Sequence, residues 1–114
     1  MRLFRITLIA YLAVLLAYTV IVGSREGWHL LPVFFGDILA MRWPGQFNLD
    51  FLGFLGLSAA WVAWRHEGRP AGWGLAVLAF FGGMAFLAPY LAWASLRAKG
   101  DPAVLLLGPG RAAR

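Results

Sequence analysis

The sequence predicts an all-α integral membrane protein with three transmembrane helices and a short interfacial or re-entrant helix, in one domain over residues 1–114. Hydrophobic residues make up 61% of the chain and charged residues only 13%, about half of the charged share in soluble domains. The charges leave three long apolar stretches, each about the length that a helix needs to cross roughly 30 Å of hydrocarbon. The chain has no cysteine, which excludes disulfide scaffolds and thiol chemistry.

The first predicted span covers about residues 5–24, between the basic start of the chain and Arg25. A basic start before an apolar stretch is also typical of a cleaved signal peptide. This stretch is longer than the apolar region of a usual signal peptide, and Ile21 and Gly23 form a poor cleavage site. We therefore expect a helix that is not cleaved.

Four charged residues divide residues 25–46 into pieces too short to span. Pro32 suits the first turn of a helix, and apolar residues recur after it at helical spacing. These features predict a short helix over about 30–41 that lies in the membrane interface or dips into it without crossing.

The second predicted span covers about residues 48–65. We expect Pro44 and Gly45 to form a turn before it and Asn48 to cap its start. Asp50 would then lie in the first turn, where the positive end of the helix dipole favours a carboxylate.

The third predicted span, about residues 72–96, contains no charge, and Pro89 is expected to kink it. The tail, residues 97–114, carries a short apolar patch over 103–107 that we expect to lie on the membrane or on a partner subunit. Basic residues are scattered near the ends of the apolar stretches rather than clustered, which argues against nucleic-acid binding. With three crossings, four of the ten basic residues lie on the amino-terminal side of the membrane and six on the other side, which is a small bias. We expect a cytoplasmic amino terminus in a bacterial inner membrane.

Small residues recur at spacings of three and four along the second and third spans. Close approach over small residues supplies the packing that the hydrophobic effect cannot supply in lipid. We therefore expect the two spans to pack face to face as a hairpin; alternatively, one stripe faces another subunit. The stripe residues are Gly53, Gly56, Ala60 and Ala63, then Gly72, Ala76, Ala79 and Gly83.

Few residues are candidates for chemistry. Asp50 is the main one, because an ionisable group within a span is costly; Asp37 and Glu67 are possible assisting acids. The alternative for Asp50 is a structural role. We interpret His29 and His66 as interfacial polar residues, or else as one axial or metal ligand shared with a partner. A cofactor is left open as a lipid or pigment bound at an interface with a partner, and no metal-ligand spacing is present.

Several segments together resemble a family of small three-helix bacterial membrane proteins of unknown function. That family has no established activity, so the resemblance implies only the three-span topology and gives Asp50 added interest. The segments are Phe47-Asn48-Leu49-Asp50-Phe51-Leu52, Arg65-His66-Glu67-Gly68-Arg69, Gly82-Gly83 and Ala88-Pro89-Tyr90-Leu91.

The sequence leads to three hypotheses of function. The first is a non-catalytic accessory or scaffold subunit of a larger membrane complex, with membrane lipid and other membrane subunits, or a second copy, as partners. The second is an intramembrane enzyme that acts on a terpenoid or lipid, with Asp50 as the acid. The third is a dimeric small transporter, which the absence of charge at the centres of the spans disfavours.

Overall fold

The protein is all-α, as predicted: 83% of its residues are helical and there are no strands. The computed structural model describes all 114 residues. The seven helices are α1 (Arg2–Glu26), α2 (Leu30–Leu39), α3 (Trp43–Arg65), α4 (Pro70–Gly82), α5 (Met84–Arg97), α6 (Pro102–Leu107) and α7 (Pro109–Ala112).

Two helices, α1 and α3, are long and apolar enough to cross a membrane by length and composition. Only 11% of the most apolar window of each is buried within the protein. The core helix of a soluble domain would be mostly buried, so the exposure of both helices suggests that lipid or other protein surrounds them. Only 16 of the 114 residues are buried.

Helix α3 begins five residues before the predicted span. Pro44 lies in its first turn, a position where the missing N–H group costs no hydrogen bond, so the expected Pro44–Gly45 turn is wrong. Asn48 does not cap the helix. Its Nδ2 donates to the Phe34 carbonyl at 3.1 Å and ties α2 to the start of α3. Helix α2 itself confirms the short helix expected over 30–41.

The stretch predicted as one span, 72–96, is instead two helices of 13 and 14 residues. Each is about 20 Å long at 1.5 Å per residue, short of the roughly 30 Å hydrocarbon core. The break is at Gly83, whose φ is +54°, a conformation that favours glycine. Pro89 lies inside α5, after the break.

Helices α4 and α5 form a hairpin that reaches only part of the way along α3. An added Cβ on Gly83 would lie 3.2 Å from Phe51 Cζ and 3.5 Å from Leu55 Cδ2, near the middle of α3. Tyr90 of α5 then packs in one buried cluster with Val62 and Ala76, close to the carboxyl end of α3. The chain therefore returns to the side from which α4 started.

Helix α1 packs against α5 along its amino-terminal half. Met1 contacts the buried cluster of Ala94, Ala98 and Leu105, and Arg5 Nη1 donates to Ser95 Oγ at 3.5 Å. These contacts and the ion pair of Glu67 with Arg114 place Met1, the 66–69 turn and residues 97–114 together, and we call this the tail end. The loops at 27–29 and 40–42 lie at the opposite end, which we call the loop end.

Candidate functional site

Arg65, the last residue of α3, is a charged side chain that the fold buries, with 5% of its surface exposed. Its Nε donates to the Leu105 carbonyl at 2.7 Å and its Nη2 to the Val104 carbonyl at 3.4 Å. Both carbonyls lie in the last turn of α6, at the negative end of its dipole, and the Val104 carbonyl also accepts from the Gly108 N–H group at 2.9 Å. Arg65 therefore binds the end of α6 and holds the tail against α3.

Tyr90 completes this cluster. Arg65 Nη1 donates to Tyr90 Oη at 3.2 Å, and Tyr90 Oη lies 2.7 Å from His66 Nε2. Since the phenol oxygen accepts from Arg65, its own hydrogen can be donated to Nε2. This arrangement requires a neutral His66 that carries its proton on Nδ1. We call Arg65, His66, Tyr90 and the α6 carbonyls the tail clamp.

The electrostatics of the tail clamp favour the neutral imidazole. Burial lowers the pKa of His66 below its ordinary value of 6.5, and the positive charges of Arg65 and Arg69 lower it further. A protonated His66 would put a second N–H donor and a second positive charge against Tyr90 Oη. Acid should therefore loosen the clamp.

The last residues of the chain make a second set of contacts with the same end of α3. Arg111 Nε donates to the Trp64 carbonyl at 3.2 Å, and its guanidinium carbon lies 4.3 Å above the Trp64 ring. Glu67 pairs with both Arg69 and Arg114. The apolar patch predicted at 103–107 thus lies on the chain's own α3, where Trp61 and Arg65 bond to its carbonyls.

The three candidate acids do not form one site. Asp50 is exposed on α3, beyond the first turn where we expected it, because the helix starts at Trp43. Asp37 lies on α2, and neither carboxylate forms a hydrogen bond or ion pair within the chain. Glu67 follows the other end of α3, about 25 Å from Asp50 at 1.5 Å per residue.

The two histidines lie at opposite ends of the protein. His29 precedes α2 at the loop end, and His66 follows α3 at the tail end. They cannot ligate the same ion. No group of three or more His, Cys, Asp or Glu side chains is placed to hold a metal.

The small-residue stripes divide into two groups. Five members lie in close contacts of α3 and α4: Ala63, Gly72, Ala76, Ala79 and Gly83. The other three make no close contact with α4. A Cβ on Gly53 or Gly56 would meet no atom within 4 Å, and Ala60 is exposed. Helix α4 approaches α3 closely at the first five positions and leaves an open space beside Gly56 and Ala60.

Comparison of the chain with protein-family models, with curated proteins and with solved structures found no match. The resemblance to small three-helix membrane proteins therefore remains an expectation from the sequence.

Sequence reasoning missed the tail clamp. It placed Arg65 at the end of the second span and named Tyr90 only within a segment of the family resemblance. The only signal was indirect: a short apolar segment after Pro102, bounded by Gly108, whose carbonyl groups needed a donor. Nothing in the spacing indicated which cation would supply it.

Proposed function

We propose that the chain is a multi-pass membrane subunit that packs against partner subunits of a larger bacterial inner-membrane complex in a non-catalytic, accessory or scaffold role. The observation that carries this proposal is a set of polar side chains on α1 and α3 that face away from the protein without partners.

Helices α1 and α3 have the length and composition of two crossings. The α4–α5 hairpin is too short to add a third crossing and returns to the tail end, as a re-entrant hairpin would. The contacts of Met1 and Arg5 with α5 and the tail support retention of α1 in the folded protein and argue against its removal as a signal sequence.

The hairpin also changes the distribution of charge. Because the tail lies beside the amino terminus, the tail end holds eight of the ten basic residues and the loop end holds two, in place of four against six. Under the positive-inside rule this bias favours a cytoplasmic tail end. The eight residues are Arg2, Arg5, Arg65, Arg69, Arg97, Lys99, Arg111 and Arg114.

Hydroxyl groups on α1 show where a partner is needed. Thr7 and Thr19 donate to carbonyls four residues earlier at 2.8 and 2.7 Å, so their hydroxyls are satisfied within the helix. Tyr11 and Tyr18 lie near the middle of the apolar stretch, are 55% and 68% exposed, and form no hydrogen bond within the chain. Hydrocarbon contains no water to bond them, so a neighbouring subunit is the natural source of their partners.

Asp50 adds a second such group on α3. Its carboxylate is exposed and unpaired within the chain, and ionisable groups in spanning helices pair with other groups or face water-filled space. A polar residue of a partner subunit would meet this need without any catalytic role for Asp50.

The experiment is purification of the full chain from its native membrane in a mild detergent, with its co-purifying chains and absorbance spectrum recorded. We expect stoichiometric partner chains. Photo-crosslinkers at positions 11 and 18 should join the protein to one of those chains. The double variant Tyr11→Phe, Tyr18→Phe should weaken the association, since it removes two hydroxyls that each contribute about 0.5–1.5 kcal/mol as a hydrogen bond.

The matched control is Thr7→Val, Thr19→Val, which removes two hydroxyls from the same helix that need no partner. It should leave the association unchanged. A lone, colourless dimer, with crosslinks only to lipid, would contradict the proposal. If Asp50→Asn abolished a transport or enzymatic activity while the association persisted, one of the other two hypotheses would be correct.

A further inference from the structure

An unfilled groove of about 570 Å³ runs between α3 and α4 from the tail end toward the middle of the bundle. Small residues, among them Gly56, Ala60 and Ala76, line it together with Phe80. A Cβ on Gly56 would meet no atom within 4 Å, so no part of the chain fills this space. The volume lies in the usual range of about 300–1,000 Å³ for small-molecule sites.

Two tryptophans and one arginine lie at the mouth of the groove. Trp73 Nε1 donates to the Gly68 carbonyl at 3.0 Å, which fixes one indole. The Arg111 guanidinium lies over the Trp64 ring on the other side. Tryptophan favours the level of the lipid headgroups, and this mouth opens at the tail end, where the positive charge is concentrated.

Arg111 has N–H donors that no acceptor in the chain satisfies. Its Nε bonds to the Trp64 carbonyl, whereas its two Nη groups have no acceptor or ion-pair partner within the chain. The nearby carboxylate, Glu67, is already paired with Arg69 and Arg114. A positive group with free N–H donors therefore lies at the end of an apolar groove.

We propose that this groove binds one anionic glycerophospholipid, with an acyl chain along the α3–α4 groove and the headgroup phosphate at Arg111. Guanidinium groups bind phosphate oxygens through paired, charge-assisted hydrogen bonds. An apolar partner helix in the same groove would leave the Arg111 donors without an acceptor, so the charge favours the lipid. This inference rests on the membrane setting proposed above but not on the partner subunits.

The test is titration of the purified full chain in non-ionic detergent with phosphatidylglycerol and with phosphatidylcholine of the same acyl chains, followed by native mass spectrometry. We expect one phosphatidylglycerol per chain and weaker binding of phosphatidylcholine. Soluble glycerol phosphate should not compete, because it lacks the acyl chain. The Arg111→Gln variant should lose at least about tenfold in affinity, the equivalent of one hydrogen bond to a charged group.

Two matched controls separate the site from bulk effects. Arg97 lies over Trp93 at 5.7 Å, a similar Arg–Trp pair away from the groove, and Arg97→Gln should leave binding unchanged. Gly56→Leu should fill the groove and reduce binding as much as Arg111→Gln. Gly53→Leu, at an equally open position of α3 outside the groove, should not.

The proposal is overturned if the two lipids bind equally, if Arg97→Gln costs as much as Arg111→Gln, or if Gly56→Leu binds normally. Arg111 also holds the tail, so loss of binding in its variant has to be distinguished from loss of folding. Circular dichroism and thermal unfolding check this, and the Gly56→Leu and Gly53→Leu pair then decides the question. Failure to find partner subunits would contradict the accessory role and leave the lipid result standing.

Discussion

A pair of glycines two residues apart on α4 provides a sharp test of the α3–α4 packing. Gly72 is buried, and a Cβ added there would overlap His66 Cβ and lie 3.2 Å from His66 Cγ. Gly74 is exposed, and a Cβ there would meet no atom within 4 Å. The two positions share a helix and a residue type and lie within five residues of the helix start, and they differ in what faces them.

The magnitudes follow from two effects. Replacing glycine by alanine inside a helix stabilises it by about 0.5–1 kcal/mol, because the unfolded chain loses conformational freedom. Gly74→Ala should gain that amount. Gly72→Ala should gain it too and also incur about 1–3 kcal/mol of overpacking against His66. Since the helix effect is common to both variants, the difference between them is the overpacking cost alone.

The assay is chemical unfolding of both variants and the unchanged protein in one detergent, followed by far-ultraviolet circular dichroism. We expect Gly74→Ala to be more stable than the unchanged protein and Gly72→Ala to be less stable than Gly74→Ala by about 1–3 kcal/mol. Equal stability of the two variants would refute the close approach of α4 to the end of α3.

Three further predictions concern topology, pH and the acidic candidate. Cysteines placed at Gly27 and Gly100 should label from opposite sides of the membrane, because the hairpin returns the tail to the amino-terminal side; labelling from the same side would indicate a third crossing. Because the pKa of His66 is lowered in the folded protein, its stabilising contribution is present above about pH 6.5 and is lost as the pH falls from there through the folded value. Thermal unfolding should show this loss, His66→Gln should reduce it, and His29→Gln should not. Asp50→Asn should change the free energy of unfolding by no more than about 0.5 kcal/mol, as for other exposed substitutions. A larger loss of stability would indicate a further contact of Asp50 within the chain.

The sequence predicted the helical class and the position of the long first helix, because both depend on local composition. Uninterrupted apolar residues after a basic start leave few alternatives to a long helix. The short helix that contains Pro32 could also be predicted from the sequence, since charges on both sides limit its length. These elements need no knowledge of distant contacts.

The start of α3 was misjudged because Pro44 and Gly45 have two common uses. A Pro-Gly pair is a frequent turn, but proline is also favoured in the first turn of a helix. The packing of α2 decides between them. A Cβ on Gly45 would overlap the Asp37 carbonyl, so glycine here permits the two helices to approach. That approach depends on tertiary structure and leaves no mark in the local pattern.

The break at Gly83 had the largest consequence for the proposed function. The charge-free stretch from 72 to 96 is long enough for a span. The kink was expected at Pro89, whereas the helix ends earlier, at the Gly82-Gly83 pair. Proline can be accommodated within a helix in this setting, whereas a residue at positive φ ends one. Because the chain reverses at Gly83, the tail and its basic residues lie beside the amino terminus, and Arg65 and Arg111 join the tail to the end of α3. One backbone conformation thus determines both the charge asymmetry that supports the proposed orientation and the position of Arg111 at the mouth of the α3–α4 groove.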